Sequence, residues 1–206
     1  MLNTSASRKH GVLRVGAAVA LLASAAAVQI GEPAPNFGIV DSQGKTQHLN
    51  DYHGKYVVLE WHSQPCWAVK KHYASGNMQR LQKEWTGKGV VWLTVISSGP
   101  GNPGFMTPSQ ENAWVKQAGA YPTAVLMDEG GVMGHLYEAT TTPQMFVIDP
   151  QGTLIYDGAI DDRPKPEQTD VWNARNLVSE ALEEAMAGRP VSIPATKPYG
   201  CSVKYK

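Results

Sequence analysis

Cys66, Cys201 and Glu60 are the residues of this chain whose types and positions could carry covalent or proton-transfer chemistry. Cys66 ends the stretch "EWHSQPC", where a strand-like run passes into what reads as the first turn of a helix. The thiolate, not the thiol, is the nucleophile in disulfide exchange and in peroxide reduction. A cysteine at a helix N-terminus meets unpaired backbone N–H groups and the positive end of the helix dipole, which favour the thiolate. Lys70 and Lys71 in the next turn add positive charge. A Cys-x-x-Cys dithiol is not formed, because the position three after Cys66 is Val69. Cys201 is the only other cysteine. An extended segment advances roughly 3.3 Å per residue, so a C-terminal tail can span a small domain and reach Cys66. Three roles for Cys201 stay open. It resolves an oxidised Cys66, it staples the tail through a permanent disulfide, or it stays free or pairs between chains.

Glu60 lies six residues before Cys66, inside the apolar run "VVLEW". A carboxylate there is costly to bury. It could pass a proton to or from a leaving thiolate, or it could reach an edge or pair with a lysine such as Lys70. A second chemistry is copper binding. The spacing "HSQPC" places His62 four before Cys66, and imidazole with thiolate suits copper, with His72 or His135 as further donors.

The elements that must position these residues follow from apolar runs and their punctuation. "KYVVLEW" and "GVVWLTVIS" are near-continuous apolar runs, as expected of strands buried on both faces. A small hairpin is expected about "DSQGK". A helix is expected from Cys66, with Val69, Tyr73, Leu81 and Trp85 on its apolar side and a bend at Gly76. "TPSQENAWVKQAG" opens with a helix-start signal. "TAVLMD" and "PQMFVIDPQGTLIYDG" supply three more strands, the last two joined as a hairpin at "DPQG". A final helix is expected from about Asp170 to Ala187, stopped by Gly188 and Pro190. The order β-α-β-α-β-β-α predicts a mixed central sheet flanked by helices. The proline-punctuated tail, residues 189–206, is expected to lie extended along the body without forming an element.

The chain has 206 residues, two cysteines and a formal net charge of zero, with Lys and Arg unclustered. That length fits one domain with a substantial core. The charge balance argues against a nucleic-acid or polybasic membrane surface. Two cysteines exclude a disulfide-rich scaffold and a four-thiolate zinc site. "SRKHGVLR" followed by "VGAAVALLASAAAV" reads as a basic segment, an apolar stretch and a small-residue cleavage site. Residues 1–27 are therefore expected to be a signal peptide, residues 28–188 the domain, and residues 189–206 a tail carrying Cys201. The protein is expected to be exported, periplasmic or secreted, and to touch a membrane only if the signal is uncleaved.

Four stretches resemble the thioredoxin superfamily, in particular its redoxin branch of alkyl hydroperoxide reductase/thiol-specific antioxidant type. "GEPAPNFGIVDSQGK" with "HLNDYHGKYVVLEW" is similar to that branch's opening, and "SQPCWAVKKHY" sits where its active-site helix begins. "TTTPQMFVIDPQG" is similar to the strand motif whose proline is cis in this fold. "DDRP" and the tail "KPYGCSVKYK" resemble an exported subgroup. The resemblance implies an α/β, thioredoxin-like three-layer sandwich with a mixed central β-sheet and helices on both faces. It implies Cys66 as nucleophile, Glu60 as the buried acid, and Cys201 as a resolving or stapling partner. It further implies substrate contacts at Thr142, Pro143, Trp67 and Ser63, no cofactor, and a thiol or disulfide redox partner, protein or small molecule. The chain departs from both of the branch's mechanisms. Val69 stands where the thioredoxin-type second cysteine would be, and Trp67 where a proline is usual. Leu59 takes the place of the peroxide-active loop's proline, and Pro143 that of its arginine. Exchange with disulfides is therefore expected ahead of peroxide reduction. The competing expectations are a copper site of Sco type and a non-catalytic binding module with a structural Cys66–Cys201 disulfide.

Overall fold

The computed structural model describes residue 1 and residues 28–205. The expected signal peptide falls largely outside the described residues. The chain first forms an antiparallel hairpin of β1 (Gly38–Val40) and β2 (Thr46–His48), turning through "DSQG" as its sequence suggests. The strand β3 (Val57–Trp61) follows, buried at every position. Next come α1 (Trp67–Ala74), α2 (Asn77–Gly87), β4 (Val91–Ile96), α3 (Pro108–Ala118), β5 (Ala124–Met127) and α4 (Val132–Leu136). The chain then forms β6 (Thr141–Thr142), β7 (Gln144–Ile148), β8 (Leu154–Gly158), α5 (Leu177–Met186) and β9 (Cys201–Ser202).

The central sheet runs β5-β4-β3-β7-β8, with β3, β4 and β5 parallel and β7 and β8 antiparallel. Alternation along β3 sends Val58 and Glu60 to one face and Val57, Leu59 and Trp61 to the other. The first face packs against α1, α2 and α5 through Val69, Leu81, Trp85, Val178 and Leu182, with Trp114 of α3 beside them. The second is covered by Phe37 and Leu49 and by α4, through Met133 and Tyr137. The long helices thus share one side, and the helical cover of the other is the short α4. Three tryptophans are fully buried, and each indole N–H finds an acceptor: Trp61 to Ser97, Trp85 to Ser179, and Trp92 to Glu60. Their rings fill the core without stranding a donor.

The structure departs from the sequence reading, or adds to it, at four places. The helix starting at Cys66 is two helices, because Gly76 adopts φ +75° and stops the α1 ladder before α2 begins. The last helix starts at Leu177 and not near Asp170. Asn176 caps it by accepting the Ser179 N–H, and residues 168–173 form a short 3-10 turn. The glycine-rich stretch before His135 forms α4, because the Asp128 carboxylate accepts the N–H groups of Met133 and Gly134. The tail does form an element: β9 pairs antiparallel with β6, Cys201 opposite Thr142.

A side chain at residue 76 meets open space, so its cost is that of the left-handed backbone alone. Gly76→Ala is expected to lower stability by about 1 kcal/mol in urea unfolding.

Candidate active site

Cys66 is the N-cap of α1, with extended backbone at φ −63° and ψ 130°. The tight turn Ser63–Cys66, closed by the Cys66 N–H to the Ser63 carbonyl at 3.0 Å, delivers the sulfur from the end of β3 to the start of the helix. Its Sγ donates to the carbonyl of Thr142 at 3.0 Å, and the residue is 2% exposed. Thr142 precedes Pro143 through a cis peptide bond. The loop that holds it is fixed by Gln144, whose side-chain oxygen accepts the N–H groups of Thr140 and Thr141 while its amide donates to Asp157.

Cys201 reaches the site by the β6–β9 pairing. It stands opposite Thr142 in that ladder and lines the same cleft as Cys66. Both cysteines are free thiols. Burial pushes the Cys201 thiol up to about 11; the hydrogen bond with Cys66 acts the same way, and the Trp67 N–H and Lys204 oppose it. A cleft of about 160 Å³ opens over both sulfurs, lined also by Ser63, Pro65, Pro103 and Ser202. Gly104 packs against Ser63, so that hydroxyl faces the loop after β4 at the cleft's rim.

The route of the tail depends on residues that sequence reasoning did not single out. Tyr199 hydrogen-bonds His72 and donates to Asp161, both buried. Asn77 holds the other ring nitrogen of His72. The buried Lys71 ammonium lies over the Tyr199 ring and donates to the Arg163 carbonyl. Lys71 is thus turned to the tail's anchor and not to Cys66, contrary to the charge support expected of it. Trp67 stacks on Tyr199 with centroids 6.1 Å apart. The aromatic expected to face a partner is engaged by the chain's own tail. "KPYGC" carried the only available signal, a tyrosine two before the cysteine. Nothing in the sequence linked that tyrosine to the aspartates of "DDRP".

Glu60 is fully buried in a closed set of donors. Tyr73 donates to one oxygen at 2.9 Å, and Trp92 and Gln82 donate to the other at 2.8 and 3.0 Å. Among the described residues no lysine pairs with it, and each hydrogen bond it makes leads into the core and not to Cys66. His62, the proposed copper ligand, sits with one ring nitrogen 3.4 Å from Glu60 and its ring between Tyr73 and Trp114. Buried Glu111 adjoins it, held above the usual carboxylate range by burial, with His62 pulling the other way. His72 and His135 have Tyr199 and Tyr205 for neighbours. Among the described residues no group of three or more His, Cys, Asp or Glu side chains is arranged to hold a metal ion.

The chain is similar to known proteins in sequence and in fold. The AhpC/TSA family pattern matches residues 30–157. The thiol-disulfide oxidoreductase ResA of Bacillus thuringiensis subsp. konkukian is 30% identical over 129 residues, covering 62% of this chain and 68% of the relative. ResA of Bacillus subtilis is 26% identical over 136 residues, covering 66% and 70%. Among solved structures, a conserved protein from Geobacillus kaustophilus superposes with a TM-score of 0.74 at 24% identity, over 86% of this chain and 93% of that one. The thioredoxin domain of a thiol-disulfide oxidoreductase from Bacteroides vulgatus gives 0.50 at 19% identity, over 71% and 98%. These structural likenesses support the thioredoxin-like fold.

Three outcomes follow. Glu60→Ala takes the acceptor from four buried donors, those of Tyr73, Gln82, Trp92 and Thr94, and is expected to cost roughly 3 kcal/mol or more in urea unfolding. Glu60→Gln is expected to leave the alkylation rate of Cys66 within about twofold, which a proton shuttle would not allow. His72 is depressed to about 3, by burial first and by Lys71 second. It folds neutral, so its contribution is complete above pH 6.5 and is lost as pH falls towards 3. The unfolded chain binds the extra proton in that window. Asp161, raised mainly by burial, works in the opposite sense and only in the carboxylate range. Between pH 6.5 and 4.5 the unfolding free energy is expected to fall by roughly 2 kcal/mol more in the wild type than in His72→Gln.

Proposed function

The chain belongs to the AhpC/TSA family, and from that premise we propose that it is an exported thiol–disulfide oxidoreductase whose dithiol is split between Cys66 and Cys201. The observation that carries this reading is that Cys201, opposite Thr142 in the β6–β9 ladder, shares one cleft with Cys66, whose thiol lies on the Thr142 carbonyl at the N-terminus of α1. Export rests on the N-terminal sequence pattern. Among the described residues no helix is long and apolar enough to cross a membrane.

The reaction has two displacements. The Cys66 thiolate attacks one sulfur of a disulfide R–S–S–R, forming Cys66–S–S–R and expelling one thiolate. Cys201 gives its proton to that leaving group. The Cys201 thiolate then attacks the Cys66 sulfur, breaks the mixed disulfide and expels the second thiolate, which takes the proton first released from Cys66. The sum is R–S–S–R plus two protein thiols giving two R–SH and a Cys66–Cys201 disulfide. An external thiol restores the dithiol by the reverse exchange. The backbone N–H of Trp67 and the first turn of α1 stabilise negative charge as it passes between the sulfurs. Pro143 stands where peroxide-reducing relatives place an arginine, which supports disulfides over peroxides as substrates.

Cys66→Ser is expected to lower disulfide reduction at least about 100-fold. Cys201→Ser is expected to stop at a Cys66 mixed disulfide visible by intact mass. Turnover surviving in Cys66→Ser would sink the reading.

A further inference from the structure

The strand edge beside Cys66 is already taken. β6 pairs with no strand of the central sheet; its partner is β9. Such an edge is where an extended polypeptide adds itself by backbone hydrogen bonds. The tail does this from within the same chain. Cys201 faces Thr142 across the ladder, the Val203 N–H donates to the Thr140 carbonyl at 3.0 Å, and the Thr142 hydroxyl donates to the Cys201 carbonyl at 3.4 Å.

We infer that β9 is a tethered occupant of the polypeptide-binding edge, so that with the tail docked the site reacts with small disulfides and not with extended polypeptides. This rests on the thiol–disulfide reading above and adds the substrate class to it. Three features carry it. The edge accepts the residue before the cysteine only as glycine. Gly200 has φ +136°, and a Cβ there would lie 2.0 Å from the Thr142 carbonyl oxygen and 3.1 Å from Ala68. The tail is fastened on both sides of the cysteine, by Tyr199 on Asp161 and by Tyr205, which packs on Gly131 and Gly134 and donates to the Ala139 carbonyl. A tethered segment competes at an effective concentration of about millimolar or above, which a diffusing peptide must exceed. The opening left over the sulfurs is about 160 Å³. Sites for drug-sized ligands run from about 300 Å³ upwards, so this one admits an arm of a small disulfide and not a chain segment.

The test compares two probes of one chemistry: 2-hydroxyethyl disulfide, and an unstructured peptide whose single cysteine carries the same mercaptoethanol disulfide. Each is mixed with the reduced full chain, and loss of the free Cys66 thiol, as a mixed disulfide or as the Cys66–Cys201 disulfide, is followed by alkylation and intact mass. The full chain is expected to react at least about tenfold faster with the small probe. Gly200→Ala forces the close approach apart. Tyr205→Ala removes the far anchor, at a half-buried position near the end of the tail. In both, the peptide rate is expected to rise roughly tenfold, bringing the two probes together. Equal rates with the full chain, or a preference unchanged in both variants, would overturn the inference while leaving the oxidoreductase intact. Failure of both probes to oxidise Cys66 in any of the three proteins would overturn the oxidoreductase reading and this inference with it.

Discussion

The carbonyl oxygen of Thr142 is the point on which the site is built. The thiol of Cys66 donates to it, and the backbone of Gly200 presses against it closely enough to exclude any side chain. One oxygen therefore fixes the nucleophile and sets the approach of the tail that brings Cys201 to it. The rest of the local architecture keeps that oxygen in place. Gln144 ties down the loop on either side, and β3 and β7, paired antiparallel, give both Cys66 and Thr142 a common rigid origin.

Holding an extended tail against a domain costs about 1–2 kcal/mol of backbone entropy for each ordered residue. Separate anchors offset this. Thr196 accepts the Ala159 N–H and fits the space left by Gly158, Tyr199 enters the buried His72–Asp161 network, and Tyr205 stacks on His135. The polar anchor is demanding, since each of its members would be a liability if left unpaired. Its neutral His72 makes the clasp sensitive to acid, and Lys71 contributes positive charge to the anchor and not to the nucleophile. The fold thus spends charged and aromatic residues behind α1 to place one sulfur in front of it.

The sequence made the central sheet legible because β3, β4 and β7 are apolar at nearly every position, the pattern of strands covered on both faces. The place of Cys66 was legible for the same reason, as the first break after such a run. Less could be read where a single backbone angle or a distant partner decides. Gly76 was seen as a bend, but whether it bends or ends a helix depends on its sign of φ. The start of α5 depends on a cap at Asn176 that outweighs the apolar positions before it. The contact of Cys201 with Cys66 stood as one of three open roles, since the pairing that makes it is two residues long and has no periodicity to detect. Glu60 was identified as unusual, but its meaning lay in Tyr73, Gln82 and Trp92, whose convergence only the fold creates.

The central claim is that the two sulfurs form a working redox couple and not a permanent staple. The direct measurement is intact mass after thiol trapping, with the protein equilibrated across a series of glutathione potentials. A Cys66–Cys201 disulfide titrating between roughly −120 and −270 mV, the span of dedicated exchange catalysts, is the predicted result. A pair still oxidised below about −300 mV, where structural disulfides sit, or two thiols that never join, would contradict it.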